Sequence, residues 1–91
     1  METAYRVSIK GRVTGVGFRY STLDKSAEFR SLKGYVRNVA HGEVEVFLQG
    51  DEKEVDQMLA WLREGPRFCR VDQFDYVKAS VDKSLTEFTI I

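Results

Sequence analysis

The stretch Tyr5-Arg6-Val7-Ser8-Ile9-Lys10-Gly11-Arg12-Val13-Thr14-Gly15-Val16-Gly17-Phe18-Arg19 decides how the chain folds. Its odd positions up to residue 13 read Tyr, Val, Ile, Gly, Val, and its even positions read Arg, Ser, Lys, Arg. A period of two marks a strand with one buried and one wet face. The strand runs into Gly15-Val16-Gly17, where two glycines allow backbone angles that other residues avoid. Residues 19–30 follow with neither Gly nor Pro and predict a helix, although Leu23, Ala27 and Phe29 do not fall cleanly on one face of it.

Working outward, residues 34–40 and 43–49 read as two short strands joined by His41-Gly42, a two-residue connection of the kind a tight hairpin needs. Val44, Val46 and Leu48 are the core-facing positions of the second. The plainest helix comes next. Asp51 is a natural N-cap, Glu54 three residues on completes a capping box, Val55, Met58, Leu59 and Leu62 form an apolar stripe, and Gly65-Pro66 stops it. Residues 68–77 and 86–91 read as closing strands. Strand, helix, strand, strand, helix, strand is the α+β, ferredoxin-like βαββαβ sandwich: an antiparallel sheet with both helices on one face, here with a short extra C-terminal strand, expected as one domain over residues 1–91. In that plan the first two strands run parallel with a third between them. Their C-terminal ends then share one edge, which brings the loop at residues 12–18 beside Asn38.

Ninety-one residues, 43% apolar and 31% charged, are enough for one soluble core. The longest unbroken apolar run, residues 58–62, falls far short of the roughly 20 residues a membrane helix requires. The opening residues lack the basic-then-apolar order of a secretory signal, so the cytoplasm is the expected location. A single cysteine, Cys69, and a single histidine, His41, rule out an internal disulfide and a zinc set, and no metal or other cofactor is expected. Basic and acidic residues cancel over the whole chain, which gives no general attraction to nucleic acid. They do not cancel locally. Residues 1–40 hold eight Lys and Arg against three acids, whereas residues 41–91 hold six against eleven. A site for an anion belongs to the first half.

The run from Gly11 to Arg19 suits such an anion. Consecutive N–H groups in a glycine turn can converge into a nest, a helix N-terminus adds unpaired donors and partial positive charge, and a guanidinium fork matches phosphate oxygens. Two glycines alone would mark only a tight strand-to-helix connection. Arg19 tips the reading, because a cation at a helix start opposes the dipole and wants a negative partner. A nucleotide P-loop is excluded by the missing Gly-Lys-Ser/Thr, and a dinucleotide fold by the missing third glycine.

Residues 11–19, followed by Lys33-Gly34-Tyr35-Val36-Arg37-Asn38, resemble the paired signatures of the acylphosphatases, small hydrolases of carboxyl-phosphate anhydrides. The likeness extends through residues 42–46, Gln49-Gly50, Trp61-Leu62 and Gly65-Pro66, and so covers most of the chain. It implies that Arg19 and Asn38 are the catalytic pair and that Thr14, Gly15, Val16, Gly17, Phe18 and Arg19 bind phosphate, the loop residues through their backbone. It also implies acyl phosphate and inorganic phosphate as the partners, with a monomer as the simplest state. Two departures stand out. Thr14 occupies a position where the family usually carries glutamine, and one extra residue lies between Arg19 and Gly34. Counting forward from Arg19 keeps Phe29 in the core and puts the extra residue at the helix C-terminus, clear of the loop. Counting backward from Gly34 puts Ala27 on the family's core alanine and the irregularity nearer the site, and the first count is preferred because it buries Phe29.

The chemistry fits these residues. A carboxylate leaves readily as an anion, so little general-acid help is required, as suits a chain with one histidine. What remains is to hold a dianionic phosphoryl group, spread its charge, and place a water in line. Asn38 can position that water but cannot serve as a base at neutral pH. Among the other residues, His41 reads as a solvated turn residue, Cys69 as a small filler, Arg12 and Arg37 as solvated strand arginines flanking the site, Trp61 as packing and Tyr20 as noncatalytic. A ferredoxin-like RNA-binding module is disfavoured because residues 42–49 carry Glu43 and Glu45 with one aromatic, Phe47. A noncatalytic binding or regulatory domain is the remaining alternative.

Overall fold

The computed structural model describes residues 1–91. The elements run β1 (Glu2–Arg12), α1 (Phe18–Ser26), β2 (Lys33–Ala40), β3 (Glu43–Asp51), α2 (Glu52–Glu64), β4 (Arg70–Lys78) and β5 (Phe88–Ile90). They form one five-stranded sheet in the order β4-β1-β3-β2-β5. The first four strands pair antiparallel, and β5 joins the edge parallel to β2, so the sheet is mixed at that edge. The ferredoxin-like architecture read from the sequence is present, with β1 and β2 parallel to one another and β3 between them.

One sheet face and the two helices enclose the core. Val7 and Ile9 of β1, Val36 of β2, and Val44, Val46 and Leu48 of β3 meet Val55, Met58 and Leu62 of α2, all of them fully buried. Alternation along each strand does this, since every second side chain of a pleated strand faces the same way. Arg37, next to Val36, therefore leaves the helix-covered face. Its Nε lies 2.8 Å from Glu45 on β3, and that pairing holds the guanidinium pKa above its ordinary value. It does not flank the site as expected.

α1 differs most from expectation. It ends at Ser26 rather than running to residue 30, and it buries Phe18, Thr22 and Ser26. Two of these three are hydroxyl residues, which is why no apolar stripe was visible. The Thr22 hydroxyl donates to the Phe18 carbonyl at 2.8 Å and the Ser26 hydroxyl to the Leu23 carbonyl at 2.6 Å, so each enters the interior with its polar atom satisfied. The chain then tightens: the Glu28 and Phe29 N–H groups bond the Lys25 and Ser26 carbonyls, three residues back. Ala27 is exposed and Phe29 packs against the core.

The capping box expected on α2 is also rearranged. Asp51 caps the Lys53 N–H at 3.3 Å, but Glu54 does not return to the Asp51 N–H. Ser31 intervenes. Its hydroxyl accepts the Asp51 N–H at 2.8 Å, while its own N–H and hydroxyl donate to Glu54. These bonds favour the charged carboxylate and hold the Glu54 pKa below its ordinary value. The turn after α1 is thus riveted to the start of α2. Smaller differences lie at the strand ends: β1 begins at Glu2, β4 at Arg70 and β5 at Phe88, each offset from expectation by two or three residues.

Candidate active site

The loop between β1 and α1 is pinned at both ends by buried side chains, Val13 and Phe18, each 1% exposed. Between them Gly15 and Gly17 take φ of 70° and 80°, the left-handed region. A side chain at either would cost about 1–2 kcal/mol in backbone strain. A Cβ at either position would meet nothing within 4 Å, so the dihedral angle rather than crowding demands glycine.

Gly17 is the N-cap of α1. No side chain caps this helix, and its first turn holds no acidic residue. Its leading N–H groups and the positive end of its dipole therefore face outward without an internal acceptor. They border a hollow of about 190 Å³ lined by Val13, Gly15, Gly17, Phe18, Arg19 and Tyr20. Arg19 joins none of the protein's ion pairs, in contrast to Arg6, Arg37 and Arg70, which sit beside Glu45 or Asp72. A cation without an acid, free helix donors and a wall without carboxylates are the features that suit an anion. Larger depressions lie between α2 and β4 and beneath the loop joining β4 to β5, but neither has such convergent donors.

The remaining predicted residues distribute as follows. Gly15, Gly17, Phe18 and Arg19 line the hollow together. Thr14 and Val16 do not, and the Thr14 hydroxyl turns instead to the β2–β3 hairpin, accepting the Gly42 N–H at 3.0 Å. Asn38 lies outside the lining. It is exposed near the end of β2, on the helix-covered face like Val36, opposite Val44 of β3, which in turn sits opposite Ile9 of β1. Two strand spacings, about 10 Å, therefore separate its backbone from that of β1. Pairing slips between Asn38 and Ala40, and α1, packed over β2 and β5, begins at this same edge. His41 Nδ1 is 3.4 Å from the Thr14 hydroxyl. Burial pushes the Cys69 thiol pKa up, which makes it a poorer nucleophile.

Two lining residues were not among those expected to bind phosphate: Val13, which was placed in the loop but given no role, and Tyr20, 68% exposed, which was given no catalytic part. The available signal was position: a residue directly after the first-turn arginine stays close to the mouth of the loop.

The family model of the acylphosphatases matches residues 5–90. An acylphosphatase of Colwellia psychrerythraea is 45% identical over 78 residues, 86% of each chain. Among solved structures, an acylphosphatase from Coxiella burnetii superposes with a TM-score of 0.90 at 32% identity, over 99% of this chain and 93% of that one. The acylphosphatase of Bacillus subtilis superposes at 0.88 and 30% identity, over 100% and 99%. The chain belongs to the acylphosphatase family: it is a hydrolase of the carboxyl-phosphate bond of acyl phosphates.

Proposed function

We propose that the hollow at the start of α1 holds the phosphoryl group of the substrate and that hydrolysis proceeds there without a metal. One observation carries this: Arg19, without an acidic partner, lines a cavity beside the uncapped start of α1, and no carboxylate lines it. A divalent cation would need carboxylates or imidazoles, and the lining has neither. The N–H groups of the loop and the Arg19 fork hold the phosphoryl oxygens and spread their charge as the loose transition state forms. Asn38 accepts a hydrogen bond from water and aims its oxygen at phosphorus. The P–O bond to the acyl group breaks as the water oxygen bonds to phosphorus, and the electron pair departs with the carboxylate. The water proton passes to a phosphoryl oxygen. Tyr20 offers the acyl part an aromatic surface at the rim.

We also infer a single domain acting as a cytoplasmic monomer, with no nucleic-acid or membrane partner. No helix is long and apolar enough to cross a membrane. On the open sheet face Tyr35 stacks on Phe47 with ring centroids 5.8 Å apart, but Glu45 draws both Arg6 and Arg37, which removes the positive field an RNA backbone requires. The test is release of phosphate from benzoyl phosphate by the purified chain in excess chelator, with sedimentation for its mass. Activity is expected to survive chelation and to be lost in Arg19→Ala. Activity that needs an added metal, or that survives in the variant, refutes the proposed mechanism.

A further inference from the structure

The two halves of the site sit on elements that share no sheet hydrogen bonds, because β3 separates β1 from β2. What joins them is the tip of the β2–β3 hairpin. Gly42 is held there from two sides. Its carbonyl accepts the Gly11 N–H at 3.0 Å, and its N–H donates to the Thr14 hydroxyl at 3.0 Å. The first bond reaches only the end of β1. The second reaches into the loop itself, one residue before Gly15.

That loop has little else to hold its middle in place. Gly15 and Gly17 have open space around them, and the buried anchors Val13 and Phe18 lie at its two ends. On the other side, Asn38 sits four residues before Gly42, next to the slip in pairing that loosens the end of β2. A threonine hydroxyl has one proton and two lone pairs, so it can accept the Gly42 N–H while turning its own proton toward His41.

We propose that Thr14 is a positioning residue for the reaction: by accepting the Gly42 N–H, its side chain fixes the distance between the anion-holding loop and the water-aiming Asn38. The proposal rests on the assignment of Arg19 and Asn38 to the site. It also gives a task to the hydroxyl that stands where the family usually carries glutamine. Displacing one partner of a reacting pair by about 1 Å can cost up to a hundredfold in rate while leaving binding largely intact. Loss of the tether should therefore appear in kcat rather than in affinity for phosphate.

The experiment compares Thr14→Val, Thr14→Ser, His41→Ala, Asn38→Ala, Arg19→Ala and the Thr14→Val/Asn38→Ala pair on benzoyl phosphate, with inhibition by inorganic phosphate and a thermal melt for each. Thr14→Val is expected to lose about tenfold in kcat, with phosphate inhibition constant and melting temperature close to those of the parent. Thr14→Ser should restore most of the rate, and His41→Ala should retain it. Because Thr14 acts through the placement of Asn38, adding Thr14→Val to Asn38→Ala should cost almost nothing further. A parental kcat in Thr14→Val, an equal loss in Thr14→Ser or His41→Ala, or the full loss repeated without Asn38 overturns the tether. Near-parental activity in both Arg19→Ala and Asn38→Ala overturns the site assignment, and the tether with it.

Discussion

Replacing Arg19 by alanine should separate catalysis from stability, with opposite signs. Arg19 is the only cation lining the hollow, and no carboxylate of the protein competes for it. A unit charge about 4 Å from another at an effective dielectric near 20 is worth about 4 kcal/mol, which corresponds to about a thousandfold in rate if expressed in the transition state. Loss of a single preorganised donor alone costs about 10²–10³. Arg19→Ala should therefore lower kcat/KM on benzoyl phosphate by at least about 10³, and phosphate should inhibit it more weakly. Arg19→Lys keeps the charge but not the planar fork, and should recover only a minor part. Stability should move the other way. A cation in the first turn opposes the helix dipole by about 0.3–1 kcal/mol, and the first turn of α1 contains no acid to offset it. Removing it should leave the melting temperature unchanged or raise it by a few degrees. Hydrolysis is followed by the ultraviolet absorbance of benzoyl phosphate, and stability by a thermal melt. Near-parental hydrolysis in a folded Arg19→Ala protein would refute the reasoning, and so would a large fall in its melting temperature.

Other outcomes follow from the same geometry. Asn38→Ala should lose about 10²–10³ in kcat yet be inhibited by phosphate as the parent is, and a parallel loss of phosphate inhibition would make Asn38 a ligand rather than a positioner of water. Gly15→Ala and Gly17→Ala should each destabilise by about 1–2 kcal/mol through their left-handed angles, read from urea unfolding, with unchanged stability arguing against the loop geometry. Glu54 is held below its ordinary pKa by the Ser31 hydrogen bonds. Its contribution to stability is thus complete above the unfolded glutamate value, about 4.3, and disappears as pH falls through the lower folded value. Glu54→Gln should consequently be less stable than the parent at neutral pH and converge on it in acid, whereas parallel stability curves would sink the argument.

How much of this was readable from residues depended on how local the physics was. α2 was plain because its cap, its stripe of Val55, Met58 and Leu62, and its Gly65 stop lie within fifteen residues. The strands were plain because alternation is local too. α1 was not, because Thr22 and Ser26 enter the core with their hydroxyls bonded to their own helix, and no polarity scale anticipates that. The capping box on α2 failed for a different reason: Ser31, remote in sequence, took the Asp51 N–H that Glu54 was expected to accept. For the site, the glycine turn and an arginine at a helix start suggested an anion, and the parallel run of β1 and β2 placed Asn38 near that loop, while the role expected of Asn38 came from the likeness to the acylphosphatases. The bond from Thr14 to Gly42 spans twenty-eight residues and depends on a hairpin tip meeting a loop, which no pattern in either segment encodes.

The placement of β3 between β1 and β2 also governs when the enzyme comes alive. On the proposed assignment, the Arg19 loop and Asn38 come together only once β3 has been threaded between β1 and β2, a pairing of distant segments that is slow because chain entropy is surrendered before contacts repay it. A fragment without β3 leaves the proposed partners Arg19 and Asn38 with no strand to hold them side by side. In a chain diluted out of denaturant, the return of turnover is accordingly a clock for completion of the sheet.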